Sequence, residues 1–433
     1  MILKSGNSKI IVGYDLGHSH SQISYYSADT SKVETAASVA GTQIYNIPTV
    51  LCKKYGVNQW LYGKEALRAA AEDEGILVDQ LLLLARDGET VQIEGEPYDP
   101  VALLTLFVKK SLSLLSVAGS VERIGAFLIT CEQMDERLMQ VLLRVVAGAG
   151  IKAKHICFQN YEESFYQYMI HQPEELRLFA TVMMQWEGSK ILAYRMETNG
   201  RTTPKAVFIR KEEYDFRQAG ECSEALAEMS AEKGYDGLDR EFKGIAQKVC
   251  GEGRISAVYL IGEAFSGEWM KESLRYLCQG SRVFLGSNLY SQGACLGMME
   301  RLKPSTMGKD SVLLGTDKLK CNVGMQVCRR GEESYCVLLN AGTNWYEAVS
   351  ECEFYLREGN SFDLVVTPLT LNGKKGKIAR MTLEGLPDGV ARIHLTVQMM
   401  TQEQLLVTAK DLGFGEFRAA SHQEWKETLG LYE

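Results

Sequence analysis

The stretch VGYDLGHSHSQISYY, residues 12–26, gathers side chains that could do chemistry. Asp15 offers a carboxylate, Gly17 a tight turn, and Ser19 and Ser21 hydroxyl donors. Together they outline a hairpin that holds phosphate through backbone N–H groups. His18 and His20 stand where such a loop would carry small hydroxyl residues. An imidazole can donate one hydrogen bond to phosphate, but its bulk crowds a phosphate-sized pocket. His18-x-His20 with Asp15 is also the start of a metal site. That reading lacks a fourth ligand, since His155, His171, His394 and His422 show no ligand spacing. In the plainest reading Asp15 and Gly17 shape a turn, one histidine packs and the other is solvated. No nucleophilic constellation accompanies the loop: FSGE (265–268) lacks the nucleophile-elbow pattern, and no cysteine has a histidine neighbour in a motif.

These residues need elements to position them, and a chain of 433 residues is long enough for two or three domains. The net charge of −8, with no concentrated basic face, argues against a nucleic-acid partner. No apolar run approaches the ~20 residues that span a bilayer, and no export signal is visible, so the expectation is a cytoplasmic protein without a membrane partner. The eleven cysteines form no C-x-x-C pair and read as reduced thiols.

Strand and helix signals alternate through the first part of the chain. KIIVGYDLG and SQISYYS read as a hairpin, RIGAFLIT (123–130) and ISAVYLIGEA (255–264) as core strands, and LFATVMMQWEGSKILAYRM (178–196) as a second hairpin turning at 187–189. Asp99 caps a helix that has Pro100 at its first position, and MDERLMQVLLRVVAGAG is an amphipathic helix ended by Gly148 and Gly150. From about residue 317 helical periodicity gives way to short alternating strands divided by turn signals, the texture of a β-sandwich. Residues 421–433 read as a short C-terminal helix. No internal repeat is visible.

The order of these parts resembles the DnaK-type chaperones, the seventy-kilodalton heat-shock family. IVGYDLGHSHSQIS looks like the family's first phosphate loop, G-I-D-L-G-T-T-N-S. YNIPTVLCKK through LYGKEA resembles the T-P-S-V and V-G-x-x-A stretch, and VYLIGEAFSGEWMKESL the adenosine loop. LEGLPDGVARIHLTVQMMTQEQLLVTAKDLGFGEF follows the end of the family's substrate-binding sandwich. KDSVLLG resembles its apolar interdomain linker. The resemblance implies an α/β actin-like ATPase fold of ribonuclease-H-like subdomains over residues 1–308, with a reduced outer lobe. A linker at 309–316 carrying Val312, Leu313 and Leu314 and an all-β sandwich at 317–420 would follow, without the family's helical lid.

Carried over residue by residue, the resemblance implies a nucleotide site at Gly13, Asp15, Gly17, His18, Ser19, Gly188, Ser189 and Gly262, for ATP or ADP with Mg²⁺ if any cofactor binds. The charges that split ATP on this fold are mostly replaced. Gln185 stands at the metal-site aspartate, Leu81 (or Gln80) at the lysine and Asn160 at the acidic residue. Glu187 and Glu263 replace glycines. Asp15 alone survives, as a vestige, and the expectation is a pseudo-ATPase with no catalytic residue and no metal. In the sandwich, Trp345, Tyr346 and Tyr355 could form an aromatic groove for a protein or peptide partner, or could be core. The function expected is a protein- or peptide-binding scaffold. The alternative is a chaperone with slow or rearranged ATPase activity, and a metal-dependent hydrolase trails.

Overall fold

The computed structural model describes residues 9–27, 31–39, 41–117, 121–216, 231–369 and 376–431. It divides into two compact units, residues 1–198 with 209–310, and residues 199–208 with 311–433.

The first unit is mixed α/β. Its first sheet joins β1 (Ile10–Leu16), β2 (His20–Ser27), β3 (Lys32–Thr35), β4 (Ile124–Cys131) and β5 (His155–Asn160) in the order β5-β4-β1-β2-β3. The β1–β2 and β2–β3 pairs are antiparallel, whereas β1–β4 and β4–β5 are parallel. A second sheet comprises β6 (Ala180–Glu187), β7 (Lys190–Asn199), β8 (Lys205–Asp215, of which residues 209–215 belong to this unit), β9 (Ile255–Ile261) and β10 (Arg282–Gly286), in the order β10-β9-β6-β7-β8. Again the first pair is antiparallel and the later strands join the first in parallel. One strand order is thus used twice, although the sequence shows no repeat. Sheet order depends on pairing across long separations, which residue identity need not preserve. β1 and β9 are apolar almost throughout and buried, as strands covered on both faces must be.

Helices cover the sheets. α1 (Pro100–Ser111) begins as its caps dictate, with the Asp99 carboxylate accepting from Val101 N at 3.0 Å. α2 (Glu136–Gly148) is capped by Asp135 and α3 (Tyr161–Ile170) by Asn160. α4 spans Ala231–Cys250 and α5 Leu289–Leu302. Two glycines let α5 lie close: a Cβ on Gly13 would stand 2.2 Å from Cys295 N, and one on Gly293 2.0 Å from Ser164 O. Backbone contact of that kind locks α5 onto β1 and α3. Residues 217–230, part of the span expected to be a reduced outer lobe, lie outside the described residues.

In the second unit, β11 (Ser311–Leu313) pairs in parallel with residues 205–207, and Leu314 N donates to Val207 O at 2.8 Å. The expected linker is therefore strand at 311–313, with Leu313 and Leu314 buried; an apolar run beside an open strand edge pairs with it rather than staying in solvent. β12 (Cys321–Arg329), β13 (Glu332–Leu339), β14 (Val349–Leu356), β15 (Ser361–Pro368), β16 (Lys377–Thr382), β17 (Ala391–Met399), β18 (Gln404–Asp411) and β19 (Glu424–Gly430) form two sheets, β13-β12-β15-β16 and β14-β17-β18-β19. The two sheets share one core, to which Ala391, Ile393, Leu395, Val397 and Met399 contribute one face of β17.

The C-terminal helix is corrected: Glu424–Gly430 is a strand antiparallel to β18. Trp425 and Leu429 pack against the core. A spacing of four satisfies both the helical period and the two-residue strand period, and the unpaired edge of β18 decides between them.

Candidate functional site

The first unit contains a cleft of about 470 Å³ at the ends of its two sheets. The β1–β2 turn brings Gly17, His18 and Ser19 to its wall, and the β6–β7 turn brings Glu187 and Gly188. The ends of β9 and β10 bring Gly262, Glu263, Gly286 and Ser287, and α5 brings Tyr290. Asp15, Gly17, His18, Ser19, Gly188 and Gly262 of the expected set line this one cleft. Gly13 lies beneath α5 and Ser189 is exposed within the β6–β7 turn, and neither belongs to the lining.

A hydrogen-bonded chain crosses the floor. Tyr161 Oη donates to Asp15 Oδ1 at 2.8 Å, and the Tyr161 ring stacks on Tyr290 with centroids 3.8 Å apart and planes 9° from parallel. Tyr290 Oη donates to Gln185 Oε1, and Gln185 Nε2 donates to Glu187 Oε2 at 2.9 Å. The packing is a consequence of the fold: Asn160 caps α3 and so fixes Tyr161 at its first turn, while α5, held at Gly13 and Gly293, places Tyr290 opposite. On the opposite wall Gln22 Nε2 donates to Asn46 Oδ1, and Asn46 Nδ2 to Glu263 Oε1 at 2.8 Å.

Charge in the cleft follows burial. Desolvation pushes Asp15 up to about 8, with Glu187 raising it further and the Tyr161 hydrogen bond opposing both. With no cation beside it, this carboxyl favours its protonated form near pH 7. Burial, and then Glu132, hold Glu187 above the ordinary carboxylate range against the pull of Lys211. Burial lowers His18, leaving a neutral imidazole whose Nδ1 is buried without a partner.

The positions expected to have lost charge carry no replacement. Leu81 is core, and the nearby Arg86 is engaged with Asp135 at 2.9 Å. Glu163 pairs with Arg301 at 2.8 Å, and Glu162 is buried. Among the described residues no group of three or more His, Cys, Asp and Glu side chains is placed to hold a metal ion, so the metal reading of His18 and His20 loses its ligand set. The sequence reading missed Tyr161, Tyr290, Asn46 and Gln22. Only Tyr161 had a signal, as the residue after a strand-to-helix cap.

The aromatic groove of the sandwich is also corrected. Trp345 and Tyr346 meet edge to face at 5.7 Å in the 3-10 turn before β14, where Trp345 packs on the core. Tyr355 stands at the other end of β14, exposed and edge to face with Phe414 at 5.8 Å. A strand rises roughly 3.3 Å per residue, so the two groups lie about 20 Å or more apart and share no groove.

The chain thus has a mixed α/β unit with a cleft at the ends of its two sheets, and a β-sandwich unit. The chain belongs to the family of unknown function DUF5716, whose C-terminal model matches residues 32–316. Residues 318–431 match a domain of unknown function, DUF8552. No curated protein matches the chain. Among the described residues no helix is long and apolar enough to cross a membrane.

Proposed function

We propose that the protein is a cytoplasmic DnaK-like scaffold. In this reading an actin-like, ribonuclease-H-like first unit has lost ATP hydrolysis, and the sandwich engages a protein or peptide partner. The twice-used strand order and the two turns facing one cleft support the fold assignment. One observation carries the loss of function. The stack of Tyr161 on Tyr290, tied to Asp15 on one side and to Gln185 and Glu187 on the other, fills the floor on which a γ-phosphate and its metal would rest. No lysine or arginine lines the cleft to offset phosphate charge.

Mg-ATP should therefore give no thermal shift, whereas a ligand at about a hundred times its Kd adds about 2.7 kcal/mol. Gln185→Asp alone should not create turnover, because the tyrosine stack remains. A phosphate-release assay on both proteins checks this, and measurable hydrolysis by either would overturn the reading. The partner arm is tested by titrating the full chain into labelled extended peptides; fluorescence anisotropy that stays flat across the library would remove it.

A further inference from the structure

Above its blocked floor the cleft is open, and its lining is one-sided. It carries three carboxyl groups, Asp15, Glu187 and Glu263, and no lysine or arginine. His18, on the same wall, has its Nδ1 buried and without a partner.

A buried polar atom without a partner, and a part-buried carboxylate with no lysine or arginine in the cleft beside it, cost free energy that a complementary ligand recovers. The described side chains do not converge as a metal's ligand set would. Phosphate would meet Glu187 and Glu263 with like charge. What fits is a molecule bringing several N–H donors and a positive charge, small enough for about 470 Å³, and able to lie against the Tyr161–Tyr290 stack. We propose that the cleft is a receptor for a small organic cation, a primary amine or guanidinium compound, with Glu187 as its counter-ion. The proposal rests on the reading that the cleft is closed to ATP, and it names what replaced the nucleotide.

The test is isothermal titration of the full chain with agmatine and with putrescine, beside Mg-ATP and adenosine. At least one amine should bind. Glu187→Gln should weaken it by about tenfold, the loss of one charge-assisted contact, and Glu187→Lys should abolish it. Glu187→Gln should melt no lower than the parent without ligand, because burial holds the Glu187 carboxyl above its usual range and the amide keeps an acceptor for Gln185. If neither amine gives heat, the proposal is wrong. It is equally overturned if Glu187→Lys binds an amine unchanged, or if adenosine binds more tightly than both. These outcomes are separate from the fate of the scaffold reading, which Mg-ATP binding and turnover decide.

Discussion

At the residue scale, Asp15 shows how position overrides identity. In the sequence it is the one acid that keeps its place in a phosphate loop. In the fold it is a buried carboxyl raised to about 8 and hydrogen-bonded to a tyrosine. An acid whose folded pKa lies above its unfolded value of about 3.9 binds more protons folded than unfolded between those values, so its contribution falls as pH rises through that window. Asp15→Asn keeps an acceptor for Tyr161 and removes the titration. The variant should be more stable than the parent at pH 8, by on the order of 1–3 kcal/mol, with the gain fading toward pH 4. Urea unfolding at the two pH values checks this; a variant less stable at pH 8 would mean the carboxylate is ionised and held by something else. Asp411 runs the other way. Burial would raise it, but Ser421 through N–H and hydroxyl, Gly413 N–H and Arg418 together outweigh burial and hold it down to about 2.

At the element scale, local grammar was legible wherever one residue settles a boundary. Asp99 and Pro100 start a helix, Asp135 starts another, and residues 188–189 turn a hairpin, because caps and turns are satisfied within a few residues. β11 and β19 were not legible as strands, since each is selected by an open edge elsewhere in the chain. The Tyr161–Tyr290 stack was hidden for the same reason. It exists because α5 lies flush against β1 and α3 at Gly13 and Gly293, and nothing near either tyrosine announces the other. Gly13→Ala should therefore act through α5, destabilising the chain by about 1–3 kcal/mol or more as the helix is pushed off β1, in chemical denaturation followed by circular dichroism. Trp425→Ala removes a ring that packs on the sandwich core and donates through Nε1 to Glu384 O at 2.9 Å. A loss of about 2 kcal/mol is expected for the sandwich; a neutral effect would argue that β19 is dispensable.

At the scale of the molecule, the chain could be parsed into an α/β part and a β part because the two periodicities, 3.6 and 2, change hands near residue 317. The seam itself could not be read so simply. Val312 comes close to Gly342 within the second unit, so a sandwich fragment beginning at residue 311 should melt higher than one beginning at 317, by a few degrees at roughly 4–8 °C per kcal/mol. Equal melting temperatures would mean that the Val312–Gly342 contact adds little and that β11 is held by residues 205–207. The doubled strand order has a consequence of its own. A chain that builds the same scaffold twice carries its own internal yardstick, for the tip of β1–β2 and the tip of β6–β7 are corresponding stations. A glycine opens both tips, at Gly17 and at Gly188, and marks what the architecture demands; the flanking residues, Leu16 and His18 at one tip and Glu187 and Ser189 at the other, mark where the two halves have gone separate ways.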